Sequence, residues 1–186
     1  FDIWMRLLKQ VEGSVFWLWV GHPKAIENLQ KEAAARGVDP QRLVFASRIK
    51  HADHLARHRL ADLFLDTLPF NAHTTASDAL WTGLPVVTCA GTTFAGRVAA
   101  SLLNAANMPD LITNSLEDYE ALALKLATDD AALQDVRTRL QQNLNSCPLF
   151  DTDLTRRHVE AAYETMWQKH QEGAPAQGFS VTPVKA

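Results

Sequence analysis

Five short apolar runs, each followed by a segment of helical periodicity, restrict the fold of this chain more than any other feature. Val15-Phe16-Trp17-Leu18-Trp19-Val20 is the first, a continuous apolar stretch between Gly13 and Gly21. Such a run suits a strand covered on both faces, as in a parallel sheet. Leu43–Ala46, Asp62–Asp66, Val86–Thr88 and Leu111–Thr113 repeat the pattern. Pro23 suits the first turn of a helix running to about Arg36, with Gly37 as its stop. Further helices are expected over about 51–59, 74–82, 97–104, 116–127, 131–144 and 151–171. Phe1, Trp4, Leu8 and Val11 share one helical face, so the chain is expected to open in a helix. With no initiator Met before that pattern, it reads as a fragment of a longer protein.

Strands alternating with helices predict right-handed crossovers and an α/β fold, a Rossmann-like parallel sheet with helices on both faces. The 186 residues suit one domain over 1–150, a final helix within 151–172 and a Pro/Ala/Gly-rich tail over 173–186. A net charge of −3 argues against nucleic acid as a partner. No apolar run reaches membrane-span length and no signal peptide opens the chain, so a cytoplasmic location without membrane contact is expected. Cys89 and Cys147 form no disulfide framework and are expected as buried thiols. The five tryptophans are expected in the core.

Open parallel sheets bind ligands beyond the carboxyl ends of their strands. The richest loop of that kind runs from Leu65 to Asp78 and brings His73, Thr74 and Thr75 to a predicted helix start. Unpaired amides and the helix dipole favour an anion there, so a diphosphate fits Thr74 and Thr75, with His73 adding a donor. Asp78, one turn on, is placed to accept from ribose hydroxyls. The same residues equally suit a helix capped by Thr74 with His73 and Asp78 in solvent. Neither GxGxxG nor GxxxxGK[ST] is present. His51, His54 and His58 recur at helical spacing, which fits a solvated face, a metal site, or a ring stacked on a nucleobase beside Arg57. Arg97 fits either a phosphate contact or a surface ion pair. No catalytic carboxylate pair or Ser-His-Asp arrangement stands out.

The block Asn71-Ala72-His73-Thr74-Thr75-Ala76-Ser77-Asp78-Ala79-Leu80-Trp81-Thr82-Gly83-Leu84-Pro85 closely resembles the O-linked N-acetylglucosamine transferase and SPINDLY family. Leu60–Asp66, Arg97–Leu102, Trp4–Leu8, Ser146–Asp151 and Tyr163–Trp167 extend the likeness over most of the chain. The resemblance implies the C-terminal, donor-binding domain of a GT-B glycosyltransferase. Its last helix would return toward an N-terminal catalytic half, with helical repeats further upstream. The donor implied is UDP-N-acetylglucosamine, used without metal or other cofactor, and the acceptors are Ser or Thr hydroxyls of proteins. By position, His54 matches a histidine packing on uracil and Arg57 a base-contacting arginine. The backbone at Ile49 matches the segment reading the uracil edge. Lys50 stands beside His51, which occupies the place of a lysine near the base in the animal enzymes. His73, Thr74 and Thr75 match the diphosphate-and-sugar loop, and Asp78 the ribose aspartate. Phe70, with Asn71 beside it, stands where the animal enzymes carry a cysteine near the acetamido group. No catalytic residue of the family falls within the chain, so the fragment alone is expected to be inactive. A SPINDLY-like transfer from GDP-fucose and a non-catalytic binding module are the alternatives.

Overall fold

The computed structural model describes residues 1–182; the end of the expected tail, 183–186, lies outside the described residues. In chain order the elements are α1 (Asp2–Gln10), β1 (Phe16–Trp19), α2 (Pro23–Ala35), β2 (Leu43–Ala46), α3 (His51–Arg57) and β3 (Phe64–Leu65). There follow α4 (Thr74–Trp81), β4 (Val86–Cys89), α5 (Val98–Ala105), β5 (Ile112–Thr113), α6 (Leu116–Thr128), α7 (Asp130–Asn143) and α8 (Thr152–Gln171). The expected α/β alternation is present, and every strand pairing is parallel.

The strands form two sheets, β1-β2 and β3-β4-β5. In the first, Phe16 lies opposite Leu43 and Trp19 opposite Ala46. In the second, β4 is central, with Phe64 opposite Val86 and Thr88 opposite Ile112. The third strand is shorter than the 62–66 run suggested, although the Asp66 amide still donates to the Val87 carbonyl at 3.0 Å.

Two apolar clusters hold these sheets. The larger gathers Val86 and Val87 of β4 with Leu80, Leu103, Tyr119 and Leu140 from the surrounding helices. The smaller gathers Met5, Leu8, Ala33 and Leu43. α1 touches both, because Met5 and Leu8 sit in the smaller cluster while Ile3 packs on the larger. Its Trp4 Nε1 donates to the Tyr119 hydroxyl at 3.2 Å, and Arg6 pairs with Glu120.

Coverage of β1 differs from expectation. Phe16 packs against Trp4, with ring centroids 4.7 Å apart, but Trp19 on the other face is 61% exposed. The helix residues of the smaller cluster come from α1 and α2 alone, and the Trp17 face, with Val44 opposite, stays open among the described residues. The tryptophans are accordingly not all core: Trp81 and Trp167 are also exposed. α8 has no buried residue, and Val159, Tyr163, Met166 and Trp167 lie exposed along it. Cys89 and Cys147 are buried and free. No helix among the described residues is long and apolar enough to cross a membrane.

Ser115 caps α6, its Oγ accepting from the Asp118 amide at 3.0 Å. Ser115→Ala is expected to cost about 1 kcal/mol, readable as a shift in the urea midpoint. An unchanged midpoint would show that the cap is replaced by solvent.

Candidate functional site

The carboxyl ends of β2 and β3 send the chain into α3 and α4, and the residues singled out in the sequence gather around those two turns. The segment 66–73 is built on Asp66, which is 4% exposed at the end of β3. Its Oδ1 accepts from the Ala72 amide and its Oδ2 from the Thr88 hydroxyl, each at 2.6 Å. Its carbonyl accepts from the Tyr119 hydroxyl at 2.9 Å. Burial pushes the Asp66 carboxyl above its ordinary value, opposed by these hydrogen bonds and by His73. Sequence reading places Asp66 where the third strand passes into the loop but gives it no role of its own. A carboxylate closing an apolar run was its signal, but its partner Thr88 lies in the next strand.

Asn71 sits just beneath this loop, 1% exposed. Its Nδ2 donates to the Thr67 carbonyl at 2.8 Å and its amide to the Ala95 carbonyl at 2.9 Å, while Oδ1 has no protein partner. The side chain therefore shapes the loop from below. The 91–97 turn closes tightly against it: a Cβ at Gly96 would stand 3.0 Å from the Pro69 carbonyl oxygen. Arg97 donates to the Gly91 carbonyl at 3.3 Å and so braces its own turn.

His73 is the N-cap residue of α4 and makes no side-chain cap bond, so Thr74 lies inside the first turn rather than capping it. Thr74 and Thr75 are exposed. The first amides of a helix have no intrahelical acceptor, and here no side chain of the cap residue takes one. The His73 ring stacks on Phe70, with centroids 4.8 Å apart and planes at 15°, and Phe94 meets it edge-on at 6.2 Å. Its Nε2 is buried without a protein partner. Phe94, 83% exposed beside this ring, was not anticipated.

α3 and α4 converge at His51 and Asp78, whose Nε2 and Oδ2 are 3.5 Å apart. His54 accepts at Nδ1 from Arg57 Nε at 3.1 Å, and Arg57 also donates to the Ser47 carbonyl and lies over the Trp17 ring. Burial, and next the Arg57 charge, pushes His54 below the ordinary histidine value, so the ring is neutral at physiological pH. His58 is pushed the same way, mainly by burial and then by His54, and its Nδ1 lies 3.3 Å from the Thr82 hydroxyl. Ile49 and Lys50 are exposed on the turn entering α3. Among the described residues no group of three or more His, Cys, Asp or Glu is placed to hold a metal ion.

This arrangement can bind an anion at the start of α4, a hydroxylated group at Asp78, and a flat ring against His54. The face is open; shallow concavities around Thr82, Gly83 and Arg137 lie at the other end of α4. The histidine shifts give a pH prediction. The folded state disfavours the protonated rings, so stability is lost as pH falls below 6.5, the ordinary histidine value. The thermal midpoint is expected to fall between pH 7 and pH 5, and less so in His58→Gln. Equal losses in both proteins would contradict the assignment.

The sequence matches glycosyl transferase family 41 over residues 1–159. It is 39% identical over 182 residues to the Arabidopsis thaliana probable UDP-N-acetylglucosamine–peptide N-acetylglucosaminyltransferase SEC, covering 97% of this chain and 18% of that protein. It is 35% identical over 174 residues to the Caenorhabditis elegans UDP-N-acetylglucosamine–peptide N-acetylglucosaminyltransferase, covering 94% of this chain and 15% of that protein. A solved structure of a mutant Thermobaculum terrenum O-GlcNAc transferase superposes with a TM-score of 0.87 at 33% identity, covering 93% of this chain and 34% of that one. The chain thus spans less than a fifth of the length of these two curated relatives.

Proposed function

This chain belongs to glycosyl transferase family 41, and on that premise we propose that it is the donor-binding part of a protein O-N-acetylglucosaminyltransferase. The observation that carries the reading is the convergence of α3 and α4, with the open first turn of α4 beside the His51–Asp78 contact. In this reading the Thr74 and Thr75 amides take the diphosphate of UDP-N-acetylglucosamine, and His73 Nε2 gives it a donor. Asp78 accepts from the ribose hydroxyls. Neutral His54, held by Arg57, packs on uracil, while the backbone at Ile49 reads the base edge near Lys50. Phe70, on the loop that Asn71 shapes, borders the sugar.

The domain spans 1–150, and the helix within 151–172 leads toward a second Rossmann-like half in a GT-B arrangement. The exposed apolar residues of α8 support that role, since an unpacked face is suited to a further surface. The longer protein transfers the sugar to Ser or Thr hydroxyls of proteins and works in the cytoplasm without metal or other cofactor. Charge developing on the departing diphosphate would be stabilised electrostatically at the start of α4. This chain alone binds donor without catalysing transfer.

Amide NMR tests the location. Adding UDP should shift the Thr74, Thr75 and Asp78 resonances together with those of His54. Shifts confined to other regions would remove this face as the site.

A further inference from the structure

We infer that Trp17 is a positioning residue of the nucleotide site: its ring supports the Arg57 guanidinium, and Arg57 in turn fixes the His54 ring. The consequence for binding rests on the donor reading above.

Trp17 lies on β1 opposite Val44 of β2, on the open side of that sheet. Strand alternation puts Trp19 on the same side, yet Trp19 is 61% exposed and Trp17 only 36%. Arg57 reaches back from α3 over the Trp17 ring, its guanidinium carbon 5.6 Å from the ring centroid. The same guanidinium is held at two further points. A terminal nitrogen donates to the Ser47 carbonyl, just past β2, at 3.0 Å, and Nε donates to His54 Nδ1 at 3.1 Å. Both bonds lie in the guanidinium plane, so the plane could still tilt about the line joining the two acceptors. A ring against its face removes that freedom.

The groups that hold Arg57 are a ring, a carbonyl and a neutral imidazole. No carboxylate makes an ion pair with it among the described residues. Its position is therefore fixed while its charge stays uncompensated, which suits an incoming nucleotide. The effect reaches His54. With Nδ1 accepting from Arg57, the neutral ring carries its hydrogen on Nε2, and the same bond orients the ring. Burial, Arg57 and His51 disfavour its protonation, Asp78 favours it, and His58 meets it edge-on at 4.6 Å. Among the described residues no ring contact joins Trp17 to His54, so the influence of Trp17 passes through Arg57.

The parent, Trp17→Leu, Arg57→Met and the double variant form the test, with Trp17→Phe as the rescue. His54 is titrated by ring NMR without nucleotide, UDP affinity is measured by calorimetry, and thermal melts check that each protein is folded. Trp17→Leu and Arg57→Met are both expected to raise the His54 midpoint toward the ordinary 6.5. Trp17→Leu should also weaken UDP binding about two- to fivefold, the loss of a partly exposed cation–ring contact. Trp17→Phe keeps a ring face and should stay near the parent in both respects. In the Arg57→Met background, Trp17→Leu should change neither quantity further. An unmoved His54 midpoint in Arg57→Met, or an equal UDP loss from Trp17→Leu with and without Arg57, would overturn the proposal. No UDP binding by the parent would instead sink the donor reading, a failure told apart by the His54 titration, which needs no ligand.

Discussion

Asp78→Ala is expected to lower affinity for UDP by about 10- to 100-fold, the loss of hydrogen bonds to a charged acceptor, while leaving the fold intact. Asp78 is partly exposed on α4, and the His51 ring 3.5 Å from it is 70% exposed. A contact so open to water contributes little to stability, so the unfolding midpoint should move little. The loss belongs to ligand binding because the carboxylate projects where α3 and α4 meet. Thr75→Val is the companion change: it keeps shape and removes a hydroxyl at the open turn, and its affinity loss should be smaller. Titration of both variants with UDP, alongside thermal melts, separates binding from folding. Unchanged affinity in both would remove the α4 turn from the site.

Asp66→Ala destabilises the fold by about 3 kcal/mol, because two buried donors lose their acceptor at once and each unpaired group costs about 1–3 kcal/mol. Those donors are the Ala72 amide and the Thr88 hydroxyl. The Ala72 bond closes the loop that delivers His73 to the start of α4, so UDP affinity should fall together with stability. Asp66→Asn keeps an oxygen for Ala72 and should be far milder. The pH dependence distinguishes the carboxylate from its shape. Burial raises the Asp66 pKa above its ordinary 3.8, so the folded state takes up the proton first. Acidification toward that value therefore favours the folded protein through this group, opposite in sign to His54 and His58. Asp66→Asn should lose that gain while keeping the histidine-driven loss. Urea unfolding of the three proteins at pH 7, pH 5 and pH 4 measures both effects. An alanine variant as stable as the parent would show that the loop does not depend on Asp66.

Local chemistry made most of the fold legible. Val86-Val87-Thr88 reads as a buried strand because it is apolar throughout and bounded by Pro85, and β4 is fully buried. Pro23 and Gly37 mark the ends of α2, with His22 accepting from the Lys24 amide at 3.1 Å as its cap. What local pattern could not carry was coverage. The run from Val15 to Val20 is apolar on both faces, yet the side bearing Trp17 and Trp19 is open, because coverage depends on where other elements dock. The division into two sheets was equally invisible, since alternation of strands and helices gives their number and direction but not their neighbours.

The site shows the same limit. His73, Thr74 and Thr75 stood out because hydroxyls and an imidazole at a strand-to-helix turn suit an anion. The cap moved by one residue, from Thr74 to His73, since the choice depends on backbone dihedrals near a helix end. Asp66 and Phe94 became visible only in three dimensions. Thr88 lies across the sheet from Asp66, and the turn that carries Phe94 reaches His73 because Ala95 accepts the Asn71 amide. Diphosphate at Thr74 and Thr75 and ribose at Asp78 follow from residue types at the strand-to-helix turn, whereas uracil at His54 rests on the family resemblance. Asp78 lies where α3 and α4 meet, 3.5 Å from His51.

Calorimetric titration of this chain with UDP and GDP, without added metal, tests the central claim most directly. The account predicts saturable binding of UDP in preference to GDP, weakened by Asp78→Ala. Preference for GDP, or no UDP binding, would contradict it.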